Sequence, residues 1–442
     1  MKTILILGAG LSTPSLIKYL LDRSTEYNWH VRAGDMSEET AKKRINGHPN
    51  GSAFAFDVFN DDQRANEITK ADLVVSMLPA KMHLPVARNC IRFGKDLVTA
   101  SYVTKEIKSF HHEAKENGII LLNEMGLDPG IDHMSAMSIL HRIKDIGGKL
   151  FAFRSSTGGL VAPKSDNNPW NYKFTWNPGN VVMAGYGGAQ FISHGSYKYV
   201  PYHKVFTRLQ TIHIDGYGEF EVYPNRDSLK YRSEYGIEDI PTMFRGTIRR
   251  PGFSKTWNAL VQIGATDHSY MVENSENLTY REFINSFLKY KKDVSVEEKF
   301  AEYTGLQPDS YDMYKLRWLG LFEDEKIGLQ HATPAQILQK RLEGKWGLDP
   351  DDKDMIVMQH RFEYELEGKL QTIVSSMVVE GIDNTHTAMA LTVGLPVAIA
   401  VKMIMTGQIA ATGVQLPLER SIYEPVLKEL GKNGITFIEK KY

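Results

Sequence analysis

The sequence predicts an α/β chain in which an N-terminal, doubly wound parallel sheet precedes a second, mixed α/β domain carrying a helical insertion. Three observations predict it. Apolar strand-like runs alternate with amphipathic helical patterns over the first 125 residues. The first run, Ile4 to Leu7, is apolar on both faces, as a strand in the middle of a parallel sheet must be. A glycine turn, Gly8-Ala9-Gly10, follows it at once and opens a helix.

That first helix takes Ser12 or Thr13 as cap and Pro14 in its first turn, and Leu16, Ile17, Leu20 and Leu21 recur at the spacing of a sheet-facing stripe. The second strand reads Trp29 to Ala33 and ends in Gly34-Asp35. Ser37 then starts a helix whose first turn holds Glu38 and Glu39, which suits the helix dipole. Further strands are expected at Ala53 to Phe56, Leu73 to Leu78, Leu97 to Ala100 and Ile119 to Leu122. Beyond residue 126 strand-like runs recur at Leu150 to Arg154, Gly216 to Val222, Glu363 to Glu367 and Ser375 to Val379. Residues from about 265 to 350 are charged and helical in pattern, including Tyr280 to Tyr290 and Pro334 to Leu342. Thr385 to Thr406 reads as one long apolar helix. The expected division is 1–125 for the first sheet, 126–385 for the second domain, and 386–442 for a segment returning to the first.

Composition narrows the function. Lysine and arginine (52) nearly balance aspartate and glutamate (53), so no overall field favours nucleic acid or an anionic membrane. A single cysteine, Cys90, excludes an internal disulfide and a cysteine-built zinc site, and fits a reducing cytoplasm. Ile4 to Leu7 is too short for a secretory signal. Ala388 to Ile404 contains Pro396 and Lys402 and is expected to be a buried helix rather than a membrane span. No spacing of histidine and carboxylates suggests a metal site. A small-molecule substrate is expected, and a homodimer is the default assembly.

The glycine turn carries the chemistry of the first domain. Gly8-Ala9-Gly10-Leu11-Ser12-Thr13 has Thr13 where a dinucleotide fingerprint wants a third glycine. Its setting compensates, with a strand before, a helix after and an acidic residue closing strand two, which together describe a Rossmann domain. Gly8, Gly10 and Ser12 are expected at the cofactor, with Gly10 letting the backbone approach a pyrophosphate at the helix N-terminus. Asp35 lies about 25 residues past the loop, the place of a ribose-binding carboxylate. It would repel a 2′-phosphate, which favours NAD over NADP. Arg32 is the nearby cation that could hold such a phosphate, and simple turn capping is the bland reading of Asp35. Asp57 follows the third strand, where adenine is often met, and Ser76-Met77-Leu78-Pro79 would bring Leu78 along the cofactor.

Two further segments leave carboxyl ends of strands, where ligands of such sheets bind. They are Ala100-Ser101-Tyr102 and Asn123-Glu124-Met125-Gly126-Leu127-Asp128-Pro129-Gly130-Ile131-Asp132-His133. With Gly158-Gly159-Leu160-Val161-Ala162-Pro163, Asn168 to Trp176, Tyr223-Pro224-Asn225-Arg226-Asp227-Ser228, Arg245-Gly246-Thr247-Ile248-Arg249, Thr392 to Pro396 and Ile422 to Pro425, they closely resemble the saccharopine dehydrogenases of the L-glutamate-forming type. The resemblance spans essentially the whole chain. It implies an oxidoreductase of lysine metabolism that interconverts saccharopine with glutamate and 2-aminoadipate 6-semialdehyde through an imine, using NAD or NADP. It implies substrate contacts at Ser101, Tyr102, Asp128, Arg226, Thr247 and Arg249, and cofactor contacts at Gly10, Leu11, Asp57, Val58, Leu127 and Pro129. At the end of strand two NADP-using members tend to show an arginine; this chain has Gly34 and Asp35, which again favours NAD.

The residues support that reading independently. Saccharopine is a secondary amine with three carboxylates, and two separated arginines, Arg226 and Arg249, suit carboxylate clamps. Tyr102 and Asp128 are the candidate catalytic groups for orienting or moving a proton. His133, Met125 and Trp176 are expected to pack rather than react. A related imine reductase of polyamine (carboxynorspermidine-like) type, which should show carboxylates where the arginines stand, and a non-catalytic cofactor-binding regulator are the competing readings.

Overall fold

The structure, a computed structural model describing residues 1–442, divides into two compact units. The first holds Met1–Lys149, Tyr364–Gln371 and Met377–Lys440; the second holds Leu150–Glu363, Thr372–Ser376 and Lys441–Tyr442.

In the first unit the strands are β1 (Lys2–Leu7), β2 (Trp29–Asp35), β3 (Gly51–Ala55), β4 (Leu73–Ser76), β5 (Asp96–Thr99) and β6 (Ile120–Leu122). The helices between and after them are α1 (Pro14–Tyr27), α2 (Glu38–Ile45), α3 (Asp61–Thr69), α4 (His83–Phe93), α5 (Lys105–Ser109), α6 (His111–Glu116) and α7 (Ile131–Asp145). The sheet is parallel, in the order β3-β2-β1-β4-β5-β6, the Rossmann order with its switch point between β1 and β4. Ile4 to Leu7 are fully buried, as expected of a central strand. Ser37 caps α2 through Thr40 N at 3.2 Å, with Glu38 and Glu39 in the first turn.

The second unit contributes β7 (Lys149–Val161), α8 (Pro178–Val182), β8 (Ala189–Ser193), β9 (Ser196–Val200), α9 (Tyr202–Val205), β10 (Gln210–Ile214), β11 (Gly218–Pro224), α10 (Tyr231–Glu234) and β12 (Thr242–Arg249). A helical stretch follows: α11 (Phe253–Ile263), α12 (Tyr280–Ser286), α13 (Val296–Thr304), α14 (Tyr311–Trp318) and α15 (Pro334–Lys345). The long strands β13 (Asp354–Leu366) and β14 (Lys369–Glu380) come next. The second sheet is mixed, because β12 runs parallel to β7 and antiparallel to β11. Capping boxes at Thr279/Glu282, Ser295/Glu298 and Thr333/Gln336 start three of the five helices, which is why this charged stretch folds as helices. Trp170, Tyr172, Phe253, Trp257 and Trp346 form the aromatic centre of its core.

The chain then forms α16 (Ala388–Met405), β15 (Gly413–Gln415), α17 (Arg420–Lys432) and β16 (Ile438–Lys441). β15 adds a seventh parallel strand beside β6, too short to be seen in the sequence. The helix α16 is long and apolar enough to cross a membrane, but most of it is buried within the protein and it packs along α1. A β-carbon on Gly394 would lie 2.9 Å from Ser12 O and 3.0 Å from Leu16 N, so α16 touches backbone directly behind the glycine loop. In the packed chain α7 lies against α17 and stays with the first sheet, so the first compact unit runs on to Lys149.

Candidate active site

Gly8 adopts φ 95°, and a β-carbon there would sit 2.9 Å from Met77 O, so the turn requires glycine. Around Gly10 there is open space where a β-carbon would point, and Leu11 is exposed beside it. Thr13 gives α1 no side-chain cap, since its hydroxyl donates to Gly10 O at 2.8 Å. Backbone donors at the loop and first turn are thus left for an anion. These residues fit a dinucleotide pyrophosphate.

Asp35 does more than cap a turn. One carboxylate oxygen accepts from Ala9 N at 2.8 Å and the other from Ser37 N at 3.0 Å, which ties the end of β2 to the glycine loop. Arg32 points elsewhere: it pairs with Glu67 at 2.5 Å and lies over the Phe54 ring. The cation beside the loop is instead Arg44, whose Nε donates to Ala9 O at 3.3 Å and which has no ion pair. It sits on α2 one turn-pair past Asp35, where sequence distance hid it. Asp57 is exposed and accepts from Phe59 N. Val58 is buried and Leu78 is half-buried.

At the carboxyl ends of β4, β5 and β6 the candidate groups come together within the first unit. The Tyr102 hydroxyl donates to Asp128 Oδ1 at 3.0 Å. Glu124, buried and at φ 60°, accepts from Val103 N at 3.0 Å and bonds His133 Nε2 at 2.7 Å. With Glu124 N donating to Ser101 O, this fixes the Ser101–Val103 strip beside Asp128. His133 is buried and engaged with Glu124. Gly130, at φ 146°, lies so close to Gly126 that no side chain fits, and the Asp128–Pro129 bond is cis. Leu127 and Pro129 are buried in that turn. The reading of the sequence passed over His83, although it stands seven residues past Ser76 at the start of α4. Its Nδ1 lies 2.8 Å from Ser76 Oγ and its Nε2 2.7 Å from Ser101 Oγ.

The second unit holds the arginines. Thr247 and Arg249 alternate on β12 and so share one face of the sheet. Arg249 is only 3% exposed and has no carboxylate partner; Nη1 donates to its neighbour Ile248 O and Nε is unsatisfied. Its guanidinium lies 5.0 Å from the Tyr172 ring, 5.4 Å from Phe253 and 5.7 Å from Tyr223. Across the strand Glu221, the obvious counter-ion, instead accepts from Gly252 N and Ser254 N at the start of α11. Arg226 is a different case: exposed, at φ 45°, it lines an open cavity of about 490 Å³ with Tyr186, Gln190, Tyr199 and Asp227.

Residues 4–122 match the saccharopine dehydrogenase NADP binding domain and residues 126–435 the saccharopine dehydrogenase C-terminal domain. The chain belongs to the saccharopine dehydrogenase family. It is 32% identical over 454 residues to saccharopine dehydrogenase [NADP(+), L-glutamate-forming] of Schizosaccharomyces pombe, covering 100% of this chain and 99% of that protein. It is 33% identical to mouse mitochondrial alpha-aminoadipic semialdehyde synthase, of which it spans about half, 47%. The apo structure of saccharopine dehydrogenase (L-Glu forming) from Saccharomyces cerevisiae superposes with a TM-score of 0.91 over the full length of both chains, at 30% identity. The family expectation drawn from the motifs holds across the whole chain, and the family's NADP binding domain matches the six strands β1 to β6 of the first unit.

Proposed function

We propose that the protein interconverts saccharopine with glutamate and 2-aminoadipate 6-semialdehyde, oxidising or reducing a C–N bond with NAD or NADP. The observation that carries the reading, beside the relatives' names, is Arg249. A guanidinium buried in an aromatic setting without a counter-ion is costly unless a ligand anion completes it. Saccharopine offers three carboxylates. Arg249 with Thr247 takes one, and Arg226 on its open rim takes another. The nicotinamide, when bound, supplies or accepts the hydride. Tyr102 and Asp128 share a proton across their hydrogen bond and stand as the pair that holds or passes it at the substrate nitrogen. Clamping both ends of the substrate fixes the reacting carbon, an entropic gain.

Arginines where a polyamine site needs carboxylates disfavour the polyamine-type reading. Between cofactors, the relatives' names support NADP, while Asp35 weights this chain toward NAD. A cytoplasmic homodimer completes the proposal, resting on the single cysteine and the frequency of two-fold dimers, and gel filtration and fractionation test it.

The test is saccharopine-dependent reduction of NAD and, separately, NADP, followed by absorbance of the reduced cofactor. Turnover with either supports the substrate. No turnover in either direction with either cofactor overturns it, and bound cofactor without turnover points to a regulator.

A further inference from the structure

We propose that His83 is a positioning residue which, held by Ser76, turns the Ser101 hydroxyl into a hydrogen-bond donor aimed at a carboxylate oxygen of the substrate. The inference rests on the reading above only in placing the substrate at Ser101. Everything else comes from the chain Ser76–His83–Ser101, whose links are 2.8 and 2.7 Å long.

His83 is 2% exposed and Ser76 fully buried. Burial pushes the imidazole down to about 4, so at neutral pH it carries one N–H and one lone pair. Two polarities are then open. In the first, Ser76 donates to Nδ1 and Nε2–H donates to Ser101 Oγ. In the second, Nδ1–H donates to Ser76, and Ser101 donates to Nε2.

Ser76 decides between them. Its hydroxyl has no hydrogen-bond partner other than His83. The second polarity would therefore leave the Ser76 proton buried with no acceptor, a penalty native structures avoid. The first polarity satisfies it. Ser101 then accepts from the imidazole, and its own proton, on a half-buried hydroxyl with no other partner, is left for a ligand. The chain thus presents a donor at this point, suited to an acceptor such as a carboxylate oxygen.

The experiment measures KM and kcat for saccharopine, and cofactor affinity by fluorescence titration, in wild type, Ser101→Ala, His83→Leu, Ser76→Ala and the double variant His83→Leu/Ser101→Ala. Loss of a hydrogen bond to a charged group raises KM for saccharopine about ten- to a hundredfold in Ser101→Ala. We expect His83→Leu and Ser76→Ala to raise it in the same direction, with cofactor affinity and kcat little changed. The double variant should be no worse than Ser101→Ala alone, whereas independent structural damage would add. His83→Gln, which keeps an acceptor and a donor on one amide, should recover most of the loss. Should His83→Leu fold poorly, ¹⁵N NMR of the native protein reads the tautomer directly, and we expect the proton on Nε2. A proton on Nδ1, or a wild-type KM in Ser76→Ala and His83→Leu while Ser101→Ala is impaired, overturns the proposal. So does an unaffected Ser101→Ala. A wild type inactive on saccharopine overturns the substrate reading, and this proposal with it.

Discussion

Polar groups at the carboxyl ends of β4 to β6 and the arginine on β12 solve burial in opposite ways. In the first unit these groups answer one another: buried Ser76 with His83, half-buried Tyr102 with Asp128, and buried Glu124 with His133. In the second unit Arg249 is buried among aromatic rings, and the carboxylate facing it, Glu221, is already committed to backbone N–H groups. A satisfied network fixes direction, deciding which way a hydroxyl or phenol presents its proton. An unsatisfied charge fixes ligand chemistry, because only an anion relieves it. The comparison teaches that the first unit uses its polar groups to fix one another's direction, whereas the second keeps a buried charge that calls for an anion.

The largest expected effect tests that contrast. Arg249→Met should raise KM for saccharopine by about 10²- to 10³-fold. Its melting temperature should stay level or rise, since an unpaired buried charge is removed. Thermal unfolding that instead drops by many degrees would show that the guanidinium holds the aromatic core together.

A paired charge should behave the other way. Glu429 on α17 receives Lys402 from α16 at 2.9 Å and Tyr19 from α1 at 3.0 Å. Burial alone would raise its carboxyl, but hydrogen bonds from Lys402, Lys432 and Tyr19 outweigh this and hold it at about 2. Glu429→Gln should cost about 2–3 kcal/mol, because the buried Lys402 ammonium loses its partner. The sign of the pH effect follows. Between the usual value of 4.5 and about 2 the unfolded chain binds the proton and the folded one does not, so wild-type stability falls as the pH is lowered through this window. The glutamine variant should lack that slope, as denaturant titrations at several pH values would show.

The smallest effect is at the cofactor. Asp35→Ser removes the charge that repels a 2′-phosphate and leaves Arg44 as the nearest cation. The ratio of NAD affinity to NADP affinity should fall by about tenfold, read by titration of each reduced cofactor. An unchanged ratio would mean that Asp35 serves only the loop through Ala9.

Much of this was legible in the sequence. Both-face apolar strands such as Ile4 to Leu7, and Ser37 with two glutamates after it, depend on neighbours in the chain, and local pattern suffices. The motifs that placed Tyr102, Asp128 and Arg249 also suffice to name the family. What escaped depends on distance through space. Nothing local to Arg32 says that Glu67 draws it away, or that Arg44 takes its place beside Ala9. Nothing local to His83 says that its ring joins β4 to the loop after β5. Arg249 could be read as a clamp, but its want of a counter-ion depends on Glu221 being engaged elsewhere. The membership of α7 in the first compact unit likewise reflects its packing on a helix nearly 300 residues later.

The contact of Gly394 with Ser12 and Leu16 has a consequence for how the protein is made. The nucleotide loop leaves the ribosome well before the helix that backs it, which stands roughly 380 residues later in the chain. A nascent chain can pair β1 to β6 early, but the loop lacks its rear wall until α16 has emerged. Loss of α16 should therefore cripple cofactor capture from behind, although no residue of that helix is called on to touch the ligand.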